Sequence, residues 1–377
     1  MSDAEIQTKE PLEIKFKGSK PPPFLQRGDW VSFGITVLLT LTVYLFTLTP
    51  SIELGDSGIY ATGAIYVGVP DVPGYPLWTL YSYLFTVLLP VSNIAWRANV
   101  ASAVASGLAC GLVALLTSRC SGALLKDFSE FSRLEPNDEV KLQVVCGCVA
   151  GMLFGFDGAF WHQAVIAFPW NFSVLLFVIM LVLLMRWQHA PEESRWFHAA
   201  SFVYALTLTN CQEFAPAVIG IGCFVLFARP TLGRDFFAFG ALLVGILLIG
   251  QRFEFLPGLL VEPPQIPTLF NVYLTVGIIA LLLAVILGFV TRAMFTHWRT
   301  VLTSSLCFVL GLLPYFLVPI FSMTTPPMDW GHPRTVEGFA HVISRGQYER
   351  VYFPRKSGHG RVSCFYSLIV VQNPQVI

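Results

Sequence analysis

Residues 31–50 read VSFGITVLLTLTVYLFTLTP, a run of twenty residues that contains no charged side chain. About 20 apolar residues are needed to cross the hydrocarbon core of a bilayer, so this run predicts a membrane-spanning helix. Similar runs follow along the chain near residues 97–117, 142–158, 171–187, 197–212, 214–228, 235–251, 269–291 and 299–321. The pattern predicts an all-α polytopic membrane protein with about nine transmembrane helices.

The composition supports the membrane assignment. Of the 377 residues, 55% are hydrophobic and 12% are charged, whereas soluble domains carry roughly 25% charged residues. The net charge is zero and the sequence has no basic stripe with interleaved aromatic residues, so no nucleic-acid partner is expected. Most of the eight cysteines lie inside apolar runs, where helix packing is their usual role. The sequence predicts neither a metal site nor a cofactor.

The chain divides into three predicted regions. Residues 1–30 are polar and include a triple proline, which predicts a disordered cytoplasmic tail. Residues 31–321 are predicted to form the transmembrane domain, with a large first outer loop at 51–96. Residues 322–377 are predicted to form a non-cytoplasmic tail, which we expect to be truncated. Two segments are irregular: 197–228 is predicted to form two short helices around a polar break, and 77–90 a helix at the membrane interface.

The distribution of Lys and Arg predicts the orientation. With the N-terminus inside, the cytoplasmic stretches hold 15 of these residues, whereas the outer stretches before residue 322 hold only Arg97 and Arg252. Positively charged residues accumulate on the cytoplasmic side of membrane proteins. In this orientation the cytoplasmic loops are short anchoring loops, and the outer loops hold the ionisable residues that could form a site. Ionisable residues at a membrane boundary are costly unless they are used or paired.

The first outer loop contains a candidate general base. It begins with Glu53-Leu54-Gly55-Asp56-Ser57-Gly58 and continues with the run Gly68 to Leu77, GVPDVPGYPL. A carboxylate directly after a transmembrane helix can take the proton from an acceptor hydroxyl as that hydroxyl attacks a sugar carbon. Asp56 could equally cap the helix that follows, since Asp is a favoured N-cap residue. The motif alone does not decide between these two roles.

These stretches resemble the multi-pass protein O-mannosyltransferase-like family, a branch of the GT-C glycosyltransferases with bacterial and endoplasmic reticulum members. The resemblance also includes residues 93–99, 160–165, 208–210, 329–335 and 337–339, which read NIAWRAN, FWHQAV, LTN, DWGHPRT and EGF. It implies a GT-C-like fold and catalysis on the non-cytoplasmic side of the endoplasmic reticulum membrane, or of the plasma membrane in a bacterium. The implied partners are a polyprenyl- or dolichyl-phosphate sugar donor, with mannose as the sugar, a protein acceptor and the lipid bilayer.

The resemblance also implies roles for individual residues. Asp56 would be the catalytic base. Arg97 or Arg334 would hold the donor phosphate, with interface anchoring as the alternative for each. Asn210 would contact substrate or form a hydrogen bond between helices. Further candidates for substrate contact are Asp71, Tyr75, Glu213 and His332.

The chain departs from the family pattern at four places. Ile59 stands where the family has an acidic residue after the Asp-Ser-Gly motif, and Asp71 stands where the family's proline-rich run has a histidine. The remaining departures are Phe168-Pro169-Trp170 and Cys211-Gln212. Asp71 and Glu213 are candidates for replacement carboxylates. A transporter or lipid-handling membrane protein and a non-catalytic homologue are the alternatives to a glycosyltransferase; broken helices such as 197–228 occur in transporters, although no inverted repeat is visible.

Overall fold

The computed structural model describes residues 24–127, 135–252, 267–293 and 295–345. The predicted tail therefore lies mostly outside the described residues, as does the end of the chain after residue 345. The described residues form fourteen α-helices: α1 Arg27–Phe46, α2 Ser57–Tyr66, α3 Pro76–Leu88, α4 Ile94–Asp127, α5 Pro136–Gly155, α6 Gly158–Ala164, α7 Trp170–His189, α8 Arg195–Asn210, α9 Ala217–Ala228, α10 Pro230–Arg252, α11 Pro267–Thr291, α12 Trp298–Leu312, α13 Leu317–Met323 and α14 Val336–Ile343. These ranges contain no β-strand, only an isolated bridge between Val69 and Asp329. The all-α prediction is confirmed.

The nine predicted spans each coincide with a helix, but the helices differ in length. Among the described residues, six helical segments are long and apolar enough to cross a membrane: α1, α4, α7, α10, α11 and the α12–α13 unit. The predicted span 142–158 corresponds to α5 followed by α6, a pair bent by 73° that would count as a seventh. The other two predictions are met by α8, with 16 residues, and α9, with 12. Both are shorter than the roughly 20 residues that a straight crossing requires.

Small side chains allow the first long helices to pack closely. α4 packs against α1, α5 and α7 and is rich in alanine, including Ala105 and Ala109, which are fully buried. On α5, a side chain at Gly151 would meet the Cys110 carbonyl oxygen of α4 at 2.7 Å. Close backbone approach through small residues is the usual packing mode between membrane helices. The α10–α11 hairpin instead leaves large apolar side chains such as Phe289 exposed, as expected for a lipid-facing surface.

The predicted inner and outer segments lie at opposite ends of the bundle. At one end, the Trp161 indole nitrogen donates to the Thr47 hydroxyl at 3.1 Å, which joins the end of α1 to α6. At the other end, the Arg119 guanidinium lies over the Phe24 ring, and Phe24 packs beside His189. The segments that meet at each end are ones that the sequence predicted to lie on the same side of the membrane. That the first of these ends is the non-cytoplasmic one remains a prediction.

The first outer loop folds into two helices that lie on the bundle. α3 begins with Pro76, a residue favoured in the first turn because it has no amide hydrogen to satisfy. Trp78 of α3 is fully buried in a cluster with Tyr60 of α2 and residues of α4. The rest of α3 packs against α4 and α8. The interfacial position predicted for 77–90 remains a prediction, and its 13 residues match a helix too short to span.

Candidate active site

Three segments that are distant in the sequence meet beside the first outer loop. They are residues 67–75, the break between α8 and α9 at 211–216, and residues 326–345. The Val69 amide donates to the Met328 carbonyl at 2.8 Å, and the Trp330 amide donates to the Val69 carbonyl at 3.0 Å. Behind this pair, Val69, Val318 and Val342 are completely buried in one apolar cluster. This backbone seam brings the two motifs of the sequence, 68–77 and 329–335, into one place.

Gln212 fastens the third segment. Its side-chain amide donates to the Tyr315 hydroxyl at 3.0 Å and to the Ile343 carbonyl at 3.0 Å, while Tyr315 donates to the Leu208 carbonyl at 2.9 Å. The last turn of α14 is thereby held against the break between α8 and α9. Gln212 stands at a position where the chain departs from the resembled family, and here it is a connecting residue.

Asp56 occupies the N-cap position of α2, but its carboxylate does not cap the helix. Its backbone carbonyl accepts from the Ile59 and Tyr60 amides, whereas its side chain makes no cap hydrogen bond to the described residues. The side chain is exposed. Asp157, the N-cap of α6, shows the contrast, because its carboxylate accepts from the Ala159 and Phe160 amides. The capping alternative for Asp56 is therefore not the arrangement observed, and the carboxylate faces solvent in a position open to a substrate.

A pair of tyrosines lies beside Asp56 and Asp71. The rings of Tyr60 and Tyr75 meet edge to face with centroids 5.5 Å apart, and Tyr60 is only 3% exposed. Burial raises the pKa of the Tyr60 phenol well above its ordinary value, and the neighbouring Tyr75, Asp71 and Asp56 raise it further. Burial also raises the pKa of Tyr75. The two hydroxyls are hydrogen-bonded to each other, and both remain protonated at physiological pH. Asp71 itself accepts from the Val72 amide at 2.7 Å.

Arg345 lies near Tyr75 and Glu213. Its guanidinium Nη1 is 3.9 Å from a carboxylate oxygen of Glu213. The charge of Arg345 partly offsets the rise in the pKa of Tyr75 that burial causes. Sequence reasoning missed this arginine, since only the fold of 326–345 onto the first outer loop brings it near the predicted residues. Glu213, which was predicted, lies in the same place.

Asn210 connects three helices. Its side chain is fully buried; the carbonyl oxygen accepts from the Trp78 amide at 3.0 Å, and the amide donates to the Ser173 hydroxyl at 2.6 Å and the Pro169 carbonyl at 3.2 Å. These contacts join α3, α7 and α8. The hydrogen bond between helices that the sequence offered as the alternative is the role that this geometry favours, and substrate contact by Asn210 stays an untested prediction.

Arg97 closes the turn between α3 and α4. Its guanidinium donates to the carbonyl oxygens of Thr86, Val91 and Ser92 at 2.9 to 3.0 Å. The Thr86 carbonyl lies in the last turn of α3, where carbonyls lack helical partners, and the Val91 and Ser92 carbonyls lie in the turn that follows. The guanidinium is thus occupied by the backbone, which favours the structural alternative over a phosphate-binding role.

We expect Arg97→Ala to lower stability rather than donor affinity. Loss of three charge-assisted bonds to a partly exposed turn should reduce the free energy of unfolding by about 1–3 kcal/mol. Thermal unfolding of detergent-purified protein, compared with Arg334→Ala at an exposed position, measures this. A large drop in affinity for a phosphate-bearing lipid with no change in melting temperature would contradict the structural role.

The remaining predicted residues lie at the edge of the seam. The His332 ring nitrogen Nδ1 is 2.8 Å from a carboxylate oxygen of Asp329; His332 is 70% exposed and Asp329 only 9%. The other Asp329 oxygen is buried without a hydrogen-bond partner among the described residues. Arg334 is exposed. His332 therefore pairs with Asp329 in this arrangement. Substrate contact by His332 and by Arg334 remains a prediction.

Strained backbone is concentrated in the same place. Eight described non-glycine residues have positive φ, and five of them flank this site: Val67, Tyr75, Thr325, His332 and Arg345. Such conformations are unfavourable for side-chain-bearing residues and persist only where the surrounding structure holds them, often at functional sites. The concentration supports the assignment of this region as the candidate active site.

Comparison with known proteins finds similarity over a stretch that includes part of this region. A family profile described as "Protein O-mannosyl-transferase TMEM260 N-terminal domain" matches residues 56–232, starting at Asp56. The mouse (Mus musculus) protein named "Protein O-mannosyl-transferase TMEM260" is 26% identical over 218 residues, 56% of this chain and 28% of that protein. The chain is thus similar, at low identity, to proteins of the O-mannosyltransferase-like family. The Dictyostelium discoideum "Protein O-mannosyl-transferase tmem260" is 24% identical over 208 residues, 51% of this chain and 22% of its own length.

The likeness to the O-mannosyltransferase-like family is partial. The chain spans less than a third of the length of these two relatives. No solved structure matches the chain. The family match covers Asp56, Asp71, Tyr75 and the break at 211–213, whereas the segment 326–345 lies beyond it. The seam between 67–75 and 326–332 is therefore a feature read from this chain's own geometry.

Proposed function

We propose that this chain is a membrane glycosyltransferase that moves mannose from a polyprenyl- or dolichyl-phosphate donor to a protein hydroxyl on the non-cytoplasmic face. The observation that carries the proposal is Asp56. Its carboxylate is exposed, does not cap its helix, and begins the region that matches the O-mannosyltransferase family. In a eukaryotic cell the corresponding membrane is that of the endoplasmic reticulum.

The chemistry assigned to Asp56 is that of a general base. Its carboxylate takes the proton of an acceptor serine or threonine hydroxyl while the hydroxyl oxygen forms a bond to the anomeric carbon of the sugar. The bond between that carbon and the phosphate oxygen breaks, and the lipid phosphate leaves with the electron pair. Attack opposite the leaving group inverts the configuration at the anomeric carbon. The Tyr60 and Tyr75 hydroxyls, which are hydrogen-bonded to each other, stay protonated in the neighbourhood of Asp56 and Asp71.

Transfer by the purified chain tests the proposal. The chain is reconstituted in liposomes with dolichyl-phosphate carrying radiolabelled mannose and a peptide rich in serine and threonine. We expect label on the peptide, and none on a matched peptide in which every serine and threonine is alanine. Absence of transfer together with uptake of a solute by the same liposomes would overturn the proposal in favour of a transporter.

A further inference from the structure

We propose that Arg345 binds the phosphate of the lipid-linked donor. In the empty site Glu213 is the counter-ion of Arg345, and the phosphate replaces it. The inference deepens the proposed function, because it assumes a phosphate-bearing lipid as substrate. It concerns a residue outside the matched region 56–232 and a cation that sequence reasoning did not select.

The backbone places Arg345 firmly. It follows α14 with φ of 57°, the left-handed conformation with which many helices end. Two residues earlier, the Ile343 carbonyl accepts from Gln212 at 3.0 Å, and Val342 is completely buried against Val69 and Val318. Arg345 is therefore held between the first outer loop and the break at 211–213. It does not lie on a freely exposed surface.

The side chain has unused donor capacity. Arg345 is 30% exposed, and its Nε is buried without a hydrogen-bond partner among the described residues. Its contact with Glu213 is 3.9 Å, longer than the ~2.7–2.9 Å of a charge-assisted hydrogen bond. Glu213 is 65% exposed, so water competes for its carboxylate. A buried donor without a partner is unfavourable, and a phosphate oxygen is a ligand that would satisfy it.

The two arginines that the sequence selected, Arg97 and Arg334, are less suitable for binding the donor phosphate. The Arg97 guanidinium already donates to three backbone carbonyls, and Arg334 is exposed at the edge of the seam. A guanidinium presents a planar fork that fits two phosphate oxygens. Arg345 also lies near enough to Tyr75 to act on it electrostatically, as Asp71 does, and the Tyr75 ring meets that of Tyr60. A donor with its phosphate at Arg345 would place its sugar in the neighbourhood of Tyr75 and Asp71.

Competition with Glu213 gives the proposal a signature that a purely structural ion pair lacks. If Glu213 only neutralises Arg345 in the empty site, removal of its charge frees the guanidinium. Glu213→Gln should then bind phosphate more tightly by a few fold. Arg345→Gln should bind at least about tenfold more weakly, and Arg345→Lys, which keeps the charge but not the fork, should fall between Arg345→Gln and the parent.

The test measures binding of dolichyl phosphate to the purified full chain in phosphatidylcholine nanodiscs. Dolichol without phosphate is the ligand control, and melting temperatures verify folding. Arg195→Gln is the matched control variant, because Arg195 also pairs with a glutamate, Glu193, but at the start of α8, away from this site. We expect the parent to bind dolichyl phosphate but not dolichol, Arg345→Gln to lose binding, and the double variant of Arg345→Gln with Glu213→Gln to remain weak. Inorganic phosphate at millimolar concentration should compete poorly, since it has no lipid chain.

Four outcomes would overturn the proposal. They are a parent that does not bind dolichyl phosphate, parent-like binding by Arg345→Gln, equal weakening in Arg345→Gln and Glu213→Gln, and equal affinity for inorganic phosphate. Binding is measured without turnover, so the result is separable from the proposed function. Phosphate-dependent lipid binding through Arg345 in a chain that transfers no sugar would leave this inference standing. Sugar transfer with an unchanged donor KM in Arg345→Gln would refute it alone.

Discussion

Replacing Asp56 with asparagine is expected to slow sugar transfer by about 10²- to 10⁴-fold, the usual contribution of a positioned general base. The amide has nearly the same shape as the carboxylate but cannot accept the proton of the acceptor hydroxyl. Since the Asp56 side chain is exposed and makes no cap bond to the described residues, folding should be unaffected. The rate of mannose transfer and the melting temperature of the same preparation measure the two effects.

Asp157→Asn is the matched control for this prediction. Asp157 is also an N-cap aspartate at the same end of the bundle, but its carboxylate accepts from the Ala159 and Phe160 amides. Asparagine is nearly as good an N-cap as aspartate, so both stability and transfer should stay close to those of the parent. An Asp56→Asn variant that transfers mannose at the parental rate would remove Asp56 from the base role and direct attention to Asp71 and Glu213.

The sequence predicted which segments are helices and at which end of the bundle the candidate site residues lie. Hydropathy located the helices, and the charge of the loops placed Asp56, Asp71 and Tyr75 at the same end of the bundle as Glu213 and His332. Both inferences rest on properties of short windows, which are independent of how the windows pack. The polar residues within 197–228 also located the break between α8 and α9. Each half was nevertheless counted as a span, although 16 and 12 residues are fewer than a straight crossing requires.

The arginines show that the sequence could not predict which groups each side chain contacts. Arg97 and Arg334 were selected because they lie in recognisable motifs, yet the Arg97 guanidinium is directed at three carbonyls of its own turn. Arg345 becomes a candidate only because 326–345 folds back over the first outer loop, a pairing of residues about 260 positions apart, as at Val69 and Asp329. Side-chain partners across such distances depend on tertiary packing. Asn210 illustrates the same limit, since its partner Trp78 lies on α3, 132 positions away.

Replacing Gly68 with valine is expected to separate the two halves of the site. A Cβ at this position would overlap the Met328 carbonyl oxygen and would lie 3.3 Å from Pro326. A backbone carbonyl cannot move aside as a flexible side chain can, and overpacking of this kind costs about 1–3 kcal/mol. The seam consists of two backbone hydrogen bonds and one small apolar cluster. Opening the seam is therefore easier than unfolding α1, α4 and α5, and the damage should stay local.

Hydrogen exchange and transfer together measure this separation. In Gly68→Val, peptides from 66–75 and 326–345 should exchange faster, peptides from α4 should keep parental protection, and transfer should fall about tenfold or more because Arg345 no longer faces Tyr75. Gly158→Ala, where an added Cβ meets nothing within 4 Å, is the control at the same end of the bundle. Faster exchange in both peptides with parental transfer would show that Asp56 and its surroundings work without 326–345. Reduced transfer in that variant alone, with α4 still protected, would instead show that the reaction needs residues that the sequence places far apart and the fold brings together.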